Sequence, residues 1–205
     1  MGISERKMRE REEMKRNIIK AATAMFINEG YEKTSIRGIA DKIEYSPATI
    51  YLYYKDKDEL LYDVQHYGFE QMATLFTEVA TDLHPYKRLR QLCRAYIQFG
   101  MENSALYDLM FIVKDPMNAI NQEDQWTNSV DCFTIFMGCV QECVDKGLIR
   151  FPDARLAALS IWGMGHGLLS LNICCRLQIM QLDQAHLNEA LYLAVDNYLN
   201  MVEIL

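Results

Sequence analysis

Proline is scarce in this chain: four residues in 205, at 47, 85, 116 and 152, each placed where one helix can end and another begin. No run alternates apolar and polar residues over the length of a strand, so sheet is not expected and an all-α fold is the simplest reading. The six cysteines, at 93, 132, 139, 143, 174 and 175, form no C-x-x-C pair and have no histidine at metal-finger spacing. That excludes a recognisable metal site, calls for no cofactor, and suggests small buried hydrophobes in a reducing cytoplasm. Phosphate-binding loops, nucleophile elbows and paired metal ligands are missing too, so an enzyme is not expected. The N-terminus is charged (Arg6, Lys7, Arg9, Arg11, Lys15, Arg16) with no apolar run behind it, which argues against a secretory signal. Leu156 to Cys175 alone contains twenty consecutive residues without Asp, Glu, Lys or Arg. It is long enough to span a bilayer, but its glycines, serines, Asn172 and His166 and the absence of flanking basic clusters favour a helix buried in protein, with no membrane partner.

What is present is apolar bulk and an uneven charge. Half of the residues are hydrophobic, enough for a substantial core. The net charge of −7 hides a division: residues 1–57 carry 12 Lys and Arg against 9 Asp and Glu, and the remainder 9 against 19. A mildly basic head on an acidic body suits phosphate contact at one end only.

The stretch 34–61 organises the chain. Thr34 or Ser35 can cap a short helix whose Ile36, Ile39, Ala40 and Ile43 share one face. After a tight connection at Glu44 and Tyr45, Ser46 offers an N-cap and Pro47 a first helical residue, starting a second helix to about Tyr53. Two such short helices cannot bury a core alone; packed on a third, they make a helix-turn-helix, the second helix free to enter a major groove.

The residues also resemble a family. The patterns I-x-x-A-A-x-x-x-F-x-x-x-G-Y (18–31), T-S-I-R-x-I-A (34–40) and S-x-x-T-I-Y-x-Y-Y-x-x-K-D-x-L (46–60) are similar, in order and spacing, to the N-terminal domain of TetR-type transcriptional regulators. Two positions depart from it: Ile43-Glu44 stands where the family has Ala-Gly, and Tyr54 where it has Phe. The resemblance implies DNA contact by Thr34, Arg37, Thr49, Tyr51 and Lys57; the residue types add Ser35, Ser46, Tyr53 and Lys55 as groups able to meet phosphate or base edges. It also implies a homodimer acting on double-stranded DNA as a repressor.

The expected division is a DNA-binding domain at 1–55 and an effector-binding and dimerisation domain at 56–205. Residues 1–16 alternate in charge, with Glu5/Arg9 and Glu12/Arg16 four apart, as in a solvated helical arm leading to a first helix that Gly30 stops. A long helix from Asp56 or Lys57 would bury Leu60, Leu61, Val64, Tyr67, Gln71, Leu75 and Val79. Five more follow at about 87–103, 105–112, 123–146, 153–177 and 183 to the C-terminus. In the third of these, Trp126, Val130, Phe133, Met137, Val140 and Val144 step by three and four as a buried stripe.

Met101, Tyr107, Phe111, Trp126, Phe133 and Met137 offer the adaptable, aromatic lining that a small, largely apolar effector would need. Trp162 and His166, four apart, could add a ring and one polar group; W-x-x-x-H-G also resembles a signature in the ligand domain of one TetR subgroup. Gly163 and Gly167 share a helical face and would admit a second helix closely, and with Leu171, Leu191 and Tyr198 they are the candidate dimer interface. A sensor signalling through a protein partner or through cysteine oxidation is the alternative.

Overall fold

A computed structural model describes residues 3–79, 81–113 and 130–204, so Trp126 and the start expected for its helix lie outside the described residues. These residues fold into nine α-helices and a 3-10 turn, with no strand; the single isolated bridge, Ile149 to Glu203, ties the C-terminus to the segment before the eighth helix. The chain divides into two compact units, Met1–Gly68 with Asp108–Asn128, and Phe69–Tyr107 with Ser129–Leu205.

In the first unit, α1 (Ile3–Glu29) ends at Gly30, whose φ of 88° an L side chain would resist. It buries Ile18, Ala21, Ala22, Met25 and Phe26. α2 (Ile36–Lys42) and α3 (Pro47–Tyr51) are too short to hold themselves and depend on caps and on Ile36, Ile39, Ala40 and Ile50 going inside. Each isoleucine taken fully out of water contributes about 1.5–3 kcal/mol. α4 (Lys57–Thr77) starts at Asp56, which accepts from the Glu59 N–H, while Glu59 reaches back to the Lys55 N–H at 2.6 Å.

The α4 stripe differs from the one expected. Leu60, Leu61, Val64, Gln65, Phe69, Met72 and Phe76 are buried, whereas Tyr67, Gln71, Leu75 and Val79 are only half-buried. After Val64 the buried line steps by five, three and four through Phe69, Met72 and Phe76, following the larger apolar surfaces of Phe69 and Phe76 rather than Tyr67 and Leu75. The Gln65 amide donates to the Leu109 carbonyl at 2.9 Å within the same unit.

In the second unit, α5 (Pro85–Glu102) is the hub, packing on α7 (Val130–Asp145), α8 (Ala154–Ile173) and α9 (Gln184–Val202). It turns Tyr86, Leu89, Leu92, Cys93, Tyr96, Ile97 and Phe99 inward. Its basic residues tie down neighbours: Arg88 pairs with Glu142 of α7, and Arg90 and Arg94 share the Asp196 carboxylate of α9. α6 (Ser104–Phe111) follows α5 directly.

Expectations for α7 and α8 need correction. The buried line of α7 is Cys132, Cys139, Val140 and Cys143, with Phe133 47 % exposed. Thiols are as apolar as small aliphatics, and Phe133, about a quarter turn from Cys132, is left half in solvent. α8 ends at Ile173 rather than 177, because Cys175 takes a left-handed φ of 55° that turns the chain into the 3-10 turn Arg176–Met180. By length and composition α8 could cross a bilayer. Here it buries Ala154, Ala157, Ala158, Ile161 and Leu169 and leaves Leu156, Leu159 and Leu171 exposed, so burial in protein holds for one face only. Among the described residues a Cβ at Gly163 or Gly167 would meet nothing within 4 Å, so no helix of these approaches them closely.

The close approach is made at Gly100 instead, where a Cβ would lie 2.5 Å from Leu169 Cδ1. Gly100→Ala should therefore overpack the α5–α8 contact and cost about 1–3 kcal/mol. Glu44→Gly should act oppositely, relieving a φ of 60° and adding up to about 1 kcal/mol. Thermal melts of the two variants should shift in opposite directions by about 2–4 °C per kcal/mol.

Candidate nucleic-acid interface

The turn between α2 and α3 is set by backbone chemistry. Ser35 caps α2, its hydroxyl accepting from the Gly38 N–H at 3.1 Å. At the other end Glu44 adopts the left-handed conformation. The Tyr45 N–H then returns to the Ala40 carbonyl and the Glu44 N–H to that of Asp41, closing a Schellman motif. Ser46 next accepts from the Thr49 N–H at 3.2 Å, with Pro47 as the first residue of α3. Ile50 and Tyr54, four apart, hold α3 to the unit from inside.

The family's usual Phe is Tyr54 here, and its extra hydroxyl is satisfied: it donates to Asp63 at 2.9 Å, and Lys15 pairs with the same carboxylate at 2.7 Å. Burial, with the Asp63 charge, holds the phenol well above its ordinary range.

Exposed here are Arg37, Asp41 and Lys42 on α2, Glu44 in the turn, and Tyr45, Ser46, Ala48, Tyr51 and Leu52 around α3, with Ser35 and Lys55 at the flanks. Tyr51 is 56 % and Leu52 75 % exposed. Thr49 is half-buried and its hydroxyl lies 3.0 Å from that of Ser46. Tyr53 is half-buried with the Arg11 guanidinium 5.4 Å above its ring. Thr34 and Lys57 sit differently from the solvated contact expected. Thr34 is 2 % exposed and donates its hydroxyl to the Gly30 carbonyl at 2.9 Å. The Lys57 ammonium donates to the carbonyls of Tyr31 and Thr34 at 2.8 and 3.2 Å and lies 4.1 Å over the Tyr31 ring. Both brace the 30–35 turn that aims α2, because a carbonyl-rich turn needs donors and these two are within reach. Leu52 and Tyr45 went unread in the sequence; their spacing from Ala48, Tyr45 three before it and Leu52 four after, on the face away from Ile50, was the available signal.

In the second unit, three of the proposed effector contacts come together around a residue not anticipated, Tyr96. The Trp162 indole donates to the Tyr96 hydroxyl at 3.1 Å, which is 2.5 Å from that of Tyr107, in turn 2.7 Å from Nδ1 of His166. The rings of Tyr107 and His166 stack with centroids 5.8 Å apart. An indole only donates. The Tyr96 oxygen, with two lone pairs, can accept from both Trp162 and Tyr107, so the order of the two remaining bonds follows the His166 tautomer; burial lowers the His166 pKa and favours the neutral imidazole. Burial also pushes Tyr96 up to about 12 and Tyr107 higher still. The line is a hydrogen-bonded polar strip that runs from the partly exposed Trp162 and His166 into the buried Tyr96 and Tyr107. Met101 and Met137 are half-buried, Phe133 stands exposed, and Phe111 belongs to the first unit. Of the interface candidates, Leu191 is 2 % exposed and is a core residue of the protomer, because it faces inward with Val195 and Leu199 along α9. Tyr198 is half-buried against Ser160, with which it shares a hydrogen bond. Four cysteines are buried, and Cys174 and Cys175 are exposed.

The sequence model of bacterial regulatory proteins of the tetR family matches residues 18–64, and that of the tetracyclin repressor-like C-terminal domain matches 89–195. An HTH-type transcriptional regulator of Staphylococcus aureus (strain USA300) is 30 % identical over 95 residues, 46 % of this chain and 51 % of that protein. The chain thus spans about half the length of the curated relatives it matches. A crystal structure of a tetR-family bacterial regulatory protein from Rhodococcus RHA1 is similar with a TM-score of 0.66 and 22 % identity, over 93 % of this chain and 97 % of that one. The TetR family transcriptional regulator PfmR from Thermus thermophilus gives a TM-score of 0.61 and 18 % identity over 89 % and 97 %. With the helix-turn-helix geometry in place at one end and the second match covering more than half the chain at the other, the protein belongs to the TetR family of DNA-binding transcriptional regulators.

Proposed function

We propose that the protein is a homodimeric repressor that binds a palindromic operator and is released from it by a small, largely apolar effector. The observation that carries this reading is the face formed by Arg37, Tyr51 and Leu52, exposed on a helix-turn-helix whose other side is fully anchored. Ser35, Ser46, Thr49, Tyr53 and Lys55 lie around it, and the head at 1–55 contacts DNA while 56–205 binds effector and partner.

The dimer is formed by α8 and α9 of two copies as a four-helix interface. Its support is the uncovered apolar line of Leu156, Leu159 and Leu171 on α8, with open space over Gly163 and Gly167, and of Leu193 and Met201 on α9. Two heads then require half-sites about 34–36 Å apart, or a multiple of one helical turn. The effector lodges beside the Trp162, Tyr107 and His166 group and selects a head spacing that no longer fits the operator.

One observation favours a second reading, an oxidant signal. Cys174 and Cys175 are adjacent and exposed, where an oxidant can reach them. Operator affinity unchanged after peroxide treatment would remove it.

Selection against a random DNA pool should enrich a two-fold symmetric site. Tyr51→Ala should weaken binding to it by about 1–3 kcal/mol with no change in melting temperature, since the side chain is 56 % exposed. An equal loss of stability would make Tyr51 a structural residue, and a monomer in sedimentation at micromolar concentration would end the dimer model. Burial depresses the His166 pKa in the folded protein, so below about 6.5 the unfolded chain takes up the proton first and stability falls as the pH drops further. Denaturant titrations at pH 7.5 and 5.5 should show a smaller difference for His166→Asn, whose amide can donate or accept near Nδ1 but does not titrate.

A further inference from the structure

The ten residues from Tyr45 to Tyr54 contain no Arg, Lys, Asn, Gln, Asp or Glu. Those are the side chains that form bidentate hydrogen bonds with guanine or adenine or accept from cytosine in the major groove. Two of the segment's hydroxyls are turned to local work: Ser46 caps α3 and lies 3.0 Å from the Thr49 hydroxyl. Apart from the Tyr51 hydroxyl, the exposed part of the helix is apolar. Ala48 and Leu52 are four apart on the side away from buried Ile50, and Leu52, still in helical conformation at φ −73° and ψ −17°, is 75 % exposed. An apolar side chain held out on a groove-entering element has one chemically matched partner among base edges, the 5-methyl group of thymine.

We infer that this recognition helix identifies its operator through thymine methyl groups met by Ala48 and Leu52, with Leu52 setting the preference. Tyr51 and Arg37, also exposed, hold phosphate and fix the register. The inference rests on the operator-binding reading above and names what that binding recognises: half-sites in which thymines, rather than guanines, carry the discrimination.

The test uses the symmetric operator recovered by selection, prepared once with thymine and once with deoxyuridine at the same positions. Uracil keeps the pairing and the O4 acceptor and lacks only the methyl. Removing a contacted methyl is expected to weaken wild-type binding about fourfold, or more than tenfold for one in each half-site, on the scale of burying one methylene. Leu52→Ala should bind the two duplexes alike, and its melting temperature should match the wild type because the side chain packs against so little.

Equal wild-type affinity for the two duplexes would overturn the inference while leaving the regulator reading intact. So would an unchanged thymine preference in Leu52→Ala, since that would place the effect in duplex shape. Failure of the wild type to bind any DNA sequence would overturn both.

Discussion

The angle at which α3 is presented depends on one strained residue. Glu44 holds a left-handed backbone with a side chain that disfavours it, and the two hydrogen bonds of the Schellman motif exist only in that conformation. From there Ser46 and Pro47 restart the helix at once, and Ile50 and Tyr54 carry it into the core. Arg37, Tyr51 and Leu52 reach solvent together because the reversal leaves α2 and α3 no other way to bury their isoleucines. The cost is small beside the burial it permits: about 1 kcal/mol of backbone strain against about 1.5–3 kcal/mol for each isoleucine withdrawn from water.

The larger unit is arranged by α5. Its apolar residues extend far round the helix, so it can be covered by α7, α8 and α9 at once, and Gly100 lets α8 come close enough for Leu169 to fill the space of a missing side chain. α8 then has a problem that α5 does not. It is apolar on both sides, but a single chain covers one, leaving a line of leucines in water. The proposed dimer would cover that line and supply the second head that a palindrome requires.

Helices, caps and the turn were legible in the residues because they depend on neighbours within four positions. Ser35, Ser46, Pro47, Gly30 and Asp56 each act on a backbone group one turn away. Stripes were less legible where bulk competed. On α4 the spacing of Tyr67 and Leu75 fitted a buried line as well as Phe69 and Phe76 did, and the larger aromatic pair was taken inside. On α7 the cysteines were apolar enough to replace Phe133 as the buried face. Thr34 and Lys57 matched a DNA-contact pattern, yet their polar atoms were claimed by carbonyls of a turn 4 to 26 positions away in sequence.

The amino-acid sequence by itself determined the all-helical class, the helix-turn-helix, the family and the uneven charge, because propensity, capping and short-range periodicity are local properties. Only the tertiary structure decided which hydroxyls and amines were left for a partner, that Tyr96 joins Trp162, Tyr107 and His166 in one line, and that Leu191 is core while Leu159 is bare. Those outcomes turn on which of several chemically equivalent groups lies within about 3 Å of a donor or acceptor, and packing between distant segments settles that distance.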